Sequence, residues 1–224
     1  MASDQRKSRT TLGCETLESR EVPAGLRPVV TFDSAKGALT ITVSEDTRNQ
    51  QDVILSADTN GPFVGRVRLN DPYFNSGGVL DVRASQVKSI TVNGSRQGNT
   101  IDLRRVSSPG GFTQNLNDRV TINAGAGNDA VWGSQFGDTI NGGDGNDTLR
   151  GQGGNDKLNG EKNDDTLYGE GGNNTLSGGS GKDSFSGSVA GYDIVTDYNA
   201  AIDFVTTAHN WNGLGIDEVR TSSI

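Results

Sequence analysis

A chain of 224 residues with a formal net charge of −8, 32 glycines and one cysteine is long enough for one or two modest domains but poor in material for a large apolar core. The acidic balance disfavours nucleic acid and anionic lipid, which are bound through Lys and Arg, and suits a cation. Cys14 alone can form neither an intramolecular disulfide nor a Cys-based zinc site, and no run of 18 apolar residues exists to span a membrane.

Residues 1–26 lack the apolar stretch of an ordinary signal peptide. Within TLGCETLESREVPAG, residues Leu17 to Ala24 resemble the LExRxxPA leader at the start of many large bacterial exported or surface proteins. Two readings of 1–26 stand side by side: a leader of that kind, or an unstructured basic tail ending at Pro23.

Residues 27–123 form a β-rich region with short β-type runs at Val29–Phe32, Leu39–Val43, Val53–Leu55, Val64–Leu69, Ile90–Val92 and Val120–Ile122, and no helical period competes with them. GSRQGNTID from Gly94 matches GSQFGDTIN from Gly133 at five of nine positions, and TRNQQDVIL ending at Leu55 reads as a further degenerate unit. Irregular solenoid coils and a separate small β-sandwich both fit these runs, and the matching units favour the coils. Pro72 and Pro109 mark long loops, and Asn99 and Asp118 are weak candidate ligands.

Residues 124–186 are seven gapless nine-residue units, beginning AGAGNDAVW at Ala124, GSQFGDTIN at Gly133 and GGDGNDTLR at Gly142, and ending GGSGKDSFS at Gly178. The eighth position is apolar in every unit: Val131, Ile140, Leu149, Leu158, Leu167, Leu176 and Phe185. One apolar residue in nine cannot build an amphipathic helix, but it suits a very short strand after a six-residue turn. Two units make an 18-residue coil with strands on opposite sides, and coils stack about 4.8 Å apart. The expected fold is all-β: a right-handed parallel β-roll, or β-solenoid, preceded by the irregular β-rich region. Glycine at positions one, two and four implies positive φ or close backbone approach, which Asn163 also tolerates. Phe136, at a fourth position, predicts the most distorted turn, and Ser134, Gln152, Glu161 and Glu170 are milder departures.

GGDGNDTLR and its neighbours resemble the RTX, or haemolysin-type, nonapeptide GGxGxDxUx, a calcium-binding solenoid repeat. The resemblance implies Ca²⁺ between unit n and unit n+2, held by sixth-position carboxylates and backbone carbonyls. For the first site it implies Asp129 and Asp147 with carbonyls of Gly125, Gly127, Gly142 and Asp144, an oxygen cage of the kind Ca²⁺ prefers. The same edge continues through Asp165 and Asp183, with Gly143, Gly145, Gly160, Lys162, Asn163, Gly178 and Ser180 supplying equivalent positions. The opposite edge carries Asp138, Asp156 and Asn174, with Gly151 and Gly153, and is expected to bind more weakly because of Phe136 and the charge lost at Asn174. Stacked carboxylates repel until a cation neutralises them, so metal binding and folding are expected to be coupled.

Residues 187–224 are expected to be a cap and tail. GYDIVTDYNAAIDFV from Gly191 resembles the segment that closes such rolls, with Ile194, Val195, Tyr198, Ile202, Phe204 and Val205 covering the open end of the core. Asp193, Asp197 and Asp203 are expected to be solvated or turn-forming.

His209 is the only histidine, which leaves no HExxH zinc pair, and no catalytic domain of the kind that often carries these rolls fits in the chain. Asp81 and Asp102 lie outside the repeats with nothing to link them as the paired acids of a glycosidase. The expectation is a non-enzymatic calcium-binding module, structural or adhesive, extracellular or on the cell surface, where Ca²⁺ is abundant and a surface or matrix partner is met. The alternative is an accessory part of a carbohydrate-active solenoid, which aromatics along an outer face would favour.

Overall fold

The computed structural model describes residues 15–16, 28–43, 52–57, 65–69, 78–109, 111–187, 191–205 and 218–221. Most of the leader, Cys14, Pro72 and His209 lie outside them. The described strands in chain order are β1 (Glu15–Thr16), β2 (Val29–Asp33), β3 (Ala38–Thr42), β4 (Asp52–Ala57), β5 (Arg66–Leu69), β6 (Gly78–Arg83), β7 (Ser89–Ser95), β8 (Thr100–Asp102), β9 (Val120–Ala126) and β10 (Ala130–Trp132). They continue as β11 (Asp138–Asp144), β12 (Thr148–Arg150), β13 (Lys157–Lys162), β14 (Thr166–Tyr168), β15 (Thr175–Ser180), β16 (Ser184–Ser186), β17 (Ile194–Tyr198), β18 (Phe204–Val205) and β19 (Glu218–Thr221).

The strands alternate between two sheets. One runs β1-β2-β3-β7-β9-β11-β13-β15-β17-β19 and the other β18-β16-β14-β12-β10-β8-β4-β5-β6. From β3 and β4 onward, neighbours in the stack pair in parallel, and within the repeats the register advances by 18 residues, as in Ile140↔Leu158 and Val131↔Leu149. Among the described strands, antiparallel pairing is confined to β1-β2-β3 and to the hairpins β4-β5-β6. The result is a parallel β-roll in which the strands of 29–126 belong to the same two sheets as those of the repeats.

The three-residue strands β10, β12, β14 and β16 each turn only their middle residue inward. Their inward row runs Val53, Ile101, Val131, Leu149, Leu167 and Phe185. In the facing sheet Ile41, Val92, Ile122, Ile140, Leu158, Leu176 and Val195 stack in the same way. A second inward row in that sheet, Leu39, Ile90 and Val120, is apolar for three rungs and then passes to Asp138. Apolar burial therefore thins along the roll, and from β13 each coil is left with two fully buried apolar side chains, such as Leu158 and Leu167.

Asparagines stitch successive coils outside the core. Asn123, Asn141 and Asn159 each donate an amide N–H to the asparagine one coil earlier, at 2.9, 2.9 and 2.7 Å. At the fifth position of the turns, Asn128 accepts the Asn146 N–H and Asn155 accepts the Asn173 N–H, both at 2.9 Å. Side-chain amide ladders of this kind satisfy backbone N–H groups that a tight turn leaves without a partner.

Three expectations are corrected. TRNQQDVIL is one residue out of phase, because Val53 rather than Ile54 pairs with Ile101 and is buried. Ile202 and Phe204 do not cover the core: they are 43% and 54% exposed, and closure falls to Val195 with Tyr198 and Val205. Phe136 is buried, and its turn is the one that departs from the backbone pattern of the others, as expected. Asp193 and Asp203, expected to be solvated or turn-forming, are not solvated: both are buried, and Asp203 closes a turn by accepting the Asn199 N–H at 2.7 Å.

Candidate metal centre

The turns explain the glycine pattern by two separate constraints. Second and fourth positions take positive φ, as at Gly143 (113°) and Gly145 (138°), and Gln152, Glu161, Asn163 and Glu170 are forced into the same region. First positions have ordinary backbone but no room: a Cβ on Gly142 would overlap the second carboxylate oxygen of Asp147 and lie 2.8 Å from the Gly160 carbonyl oxygen. The second unit departs from this pattern, since neither Ser134 nor Phe136 has positive φ.

Those turns aim the sixth-position side chains inward, and Asp129, Asp138, Asp147, Asp156, Asp165, Asn174 and Asp183 are each between 1% and 3% exposed. On one edge the Asn99 N–H donates to Asp129 Oδ1 at 2.5 Å, Asp129 N–H to Asp147 at 2.8 Å, Asp147 N–H to Asp165 at 2.8 Å, and Asp165 N–H to Asp183 at 2.9 Å. On the other edge Asp138 N–H donates to Asp156 at 2.8 Å and Asp156 N–H to Asn174 at 2.9 Å. Both ladders continue past the repeats: Asn174 N–H meets Asp193 Oδ1 at 2.8 Å, and Asp183 N–H meets Asp203 Oδ1 at 3.0 Å. Asp197 is also engaged, accepting the Gly178 and Gly179 N–H groups at 3.0 and 2.8 Å and the Ser177 hydroxyl at 2.7 Å.

In each ladder one oxygen is consumed by the neighbouring rung. The second oxygens of Asp129, Asp147, Asp156 and Asp165 are buried with no hydrogen-bond partner. Such an atom is expensive in protein and natural only beside a charge of opposite sign. Burial pushes these carboxyls up, to about 7 for Asp129, about 6 for Asp147, about 8 for Asp165 and about 9 for Asp156. Burial also raises Asp183 to about 6 and Asp138 to about 7, the latter against two bonds from Ser134. Among the described residues no three His, Cys, Asp or Glu side chains converge as a metal cluster. A cation here must therefore draw on backbone carbonyls as well as carboxylates, a hard oxygen set that suits Ca²⁺.

The carbonyls lie close at hand. Those of Gly160, Gly169 and Gly178 face the first-position glycines Gly142, Gly151 and Gly160, beside the unpartnered oxygens of Asp147, Asp156 and Asp165. Those of Gly125 and Gly127 abut Gly143 and Gly145 of the next coil. The third-position carbonyls of Asp144, Lys162 and Ser180 accept the N–H groups of Gly127, Gly145 and Asn163 at 2.7, 3.2 and 2.7 Å, and Gly153 donates its N–H to Ser134 O at 3.2 Å. The Asp144 side chain is exposed and paired with Lys162 at 2.8 Å. Carboxylate oxygens without partners, crowded between coils by carbonyl oxygens, fit a cation.

A family sequence model described as the RTX calcium-binding nonapeptide repeat (4 copies) matches residues 117–140, 132–167 and 160–189. Residues 117–189 are RTX calcium-binding repeats. No curated protein and no solved structure matches the chain. The RTX repeat is a structural calcium-binding unit, and the β-roll described above is the fold its nonapeptides build.

Before the first nonapeptide unit, Asp118 and Asn99 are not equivalent. Asp118 is an exposed residue whose N–H donates to Gly137 O at 3.0 Å, whereas Asn99 is fully buried and forms the first rung of the longer ladder. Asp102 is held by Arg104 at 2.7 and 3.0 Å. The side chain of Asp81 lies outside the described residues. No helix among the described residues is long and apolar enough to cross a membrane.

Proposed function

We propose that the chain is a non-enzymatic structural or adhesive module of the cell surface or extracellular space, one continuous solenoid whose repeats are ordered by calcium. The observation that carries this reading is the set of buried, unpartnered oxygens on Asp129, Asp147, Asp165 and Asp156. Each marks one cation position: three on the edge of Asp129, Asp147, Asp165 and Asp183, and one on the edge of Asp138, Asp156 and Asn174. Carbonyls of Gly125, Gly127, Gly142, Asp144 and their equivalents complete the oxygen shells. Continuity is supported by the parallel pairing of β7 with β9 and of β8 with β10.

A calcium titration by calorimetry, paired with circular dichroism in chelator, tests the reading. The expected result is about four bound ions, one per unpartnered oxygen, and structure gained on binding. No heat and no bound ion at millimolar calcium would sink it. Extracellular modules bind calcium at about 10⁻⁴–10⁻³ M, so sites already filled at about 10⁻⁷ M would argue against the proposed location.

A second reading, an accessory module for carbohydrate, has one observation in its favour. Trp132, Arg150 and Tyr168 form one outward row, with the rings two rungs apart, about 9.6 Å at the spacing of a sheet. Arg104 lies 5.1 Å over Trp132 and Arg150 3.9 Å over Tyr168. Retardation in gels containing soluble polysaccharide, lost in Trp132→Ala, is the result this reading requires.

A further inference from the structure

We infer that the two turns opening with Gly94-Ser95 and Gly133-Ser134 are metal-free rungs, and that the solenoid up to Ala126 stands without calcium and templates the calcium-dependent coils. The inference rests on the calcium reading above and adds a boundary to it.

In both turns a serine does what a cation does elsewhere. Ser134 donates its N–H to Asp138 Oδ2 at 2.5 Å and its hydroxyl to Asp138 Oδ1 at 2.7 Å, while that hydroxyl accepts the Phe136 N–H at 3.0 Å. Ser95 repeats the device around Asn99: N–H to Oδ1 at 2.8 Å, hydroxyl to Oδ1 at 3.3 Å, and Gln97 N–H to the hydroxyl at 3.2 Å. Asp138 is accordingly not among the carboxylates with an unpartnered buried oxygen, although Asp156 on the next coil is. A side chain whose acceptors are filled by fixed donors gains little from a cation and loses little without one.

The two serine turns stand at the first rung of each ladder. Asn99 precedes Asp129 on one edge, and Asp138 precedes Asp156 on the other. Before them the structure is held by apolar burial, because the inward row that becomes Asp138 is Leu39, Ile90 and Val120. After them the coils have fewer buried apolar side chains and more buried carboxylates. The edge strand β9 then offers Val120 to Ala126 in register to Asp138 to Asp144, a preformed ladder on which the first calcium-dependent coil can be laid. Solenoid repeats fold by such nearest-neighbour addition.

Hydrogen exchange by mass spectrometry on the full chain, in chelator and in millimolar calcium, tests the boundary. The expected result in chelator is retained protection in β3, β7, β8 and β9 and complete loss in β12 to β16, restored by calcium. Protection lost and regained everywhere together would overturn the metal-free boundary while leaving the calcium reading intact. Protection kept in β12 to β16 in chelator would overturn both. Templating is read separately from Val92→Ala, a buried inward residue of β7 that stacks on Ile122 of β9. It should raise several-fold the calcium concentration at which β13 to β16 become protected, and an unchanged midpoint overturns templating.

Discussion

Asp147 links two rungs with one oxygen and leaves the other unanswered: Oδ1 accepts the Asp129 N–H at 2.8 Å, while Oδ2 is buried without a partner beside Gly142. The first contact needs only an acceptor; the second needs positive charge. Structure and metal demand are thus separable within a single side chain.

Asp147→Asn keeps the acceptor for Asp129 and replaces the charged oxygen with an amide N–H, which repels a cation. Calorimetry should show fewer bound ions and a calcium midpoint raised by at least about tenfold, as affinity follows ligand charge. Asp138→Asn should shift it by less than about twofold, because Ser134 then faces an asparagine as Ser95 already faces Asn99. Equal effects of the two substitutions would contradict the distinction between the rungs.

Gly142→Ala tests the close approach at a first position. Its backbone is compatible with alanine, so any loss comes from the overlap of the new Cβ with the Asp147 carboxylate and the Gly160 carbonyl. Overpacking of this kind costs about 1–3 kcal/mol. The expected outcome is a lower thermal midpoint in calcium together with weaker binding, measured by scanning calorimetry and titration. A variant with unaltered binding would show that the Gly142 cradle is not where the cation sits.

The phase of the repeats is legible from residues alone, because an apolar eighth position and an Asp or Asn at the sixth recur every nine residues whatever surrounds them. Asp193 and Asp203 are not: their hydrogen bonds to Asn174 and Asp183 span 19 and 20 residues instead of 18, so insertions hide them from any count by nines. Fifth-position asparagines such as Asn128 and Asn155 did recur in the sequence, but their use is visible only once the coils are stacked and a side chain meets an N–H 18 residues away. Ser134 reads in the sequence only as a mild departure from the glycine pattern. Its hydroxyl and N–H instead satisfy Asp138 directly, which no spacing reveals.

Acidity should substitute in part for calcium. Burial raises the carboxyls of Asp129, Asp165 and Asp156 from an ordinary 3.8 to about 7, 8 and 9 in the metal-free fold. The folded state therefore holds protons that the unfolded chain has already released, and its stability falls as pH rises from about 4 toward the raised values. In chelator, circular dichroism should show more β-structure at pH 5.5 than at pH 8. With calcium the dependence reverses in sign for binding, since protons compete for the same oxygens and affinity falls on acidification. A chelated chain equally unfolded at both pH values would mean that the buried charges are not what opposes folding.

Asp193 ties the end of the roll to the last rung of its ladder. It is fully buried, its Oδ1 accepts the Asn174 N–H at 2.8 Å, and the next residue, Ile194, donates its own N–H to Asn174 O at 2.9 Å. Asp193→Ala removes the acceptor and leaves a buried backbone N–H unpaired, at a cost of about 1–3 kcal/mol. The roll measured in saturating calcium should melt at a lower temperature, and hydrogen exchange should place the loss at β15 and β17. Since Asn174 supplies no carboxylate, the number of bound calcium ions should stay the same, which separates this substitution from those at Asp129, Asp147 or Asp165. A fall in the ion count would instead make Asp193 part of a metal site, and an unchanged melting temperature would leave it without a role in closing the roll.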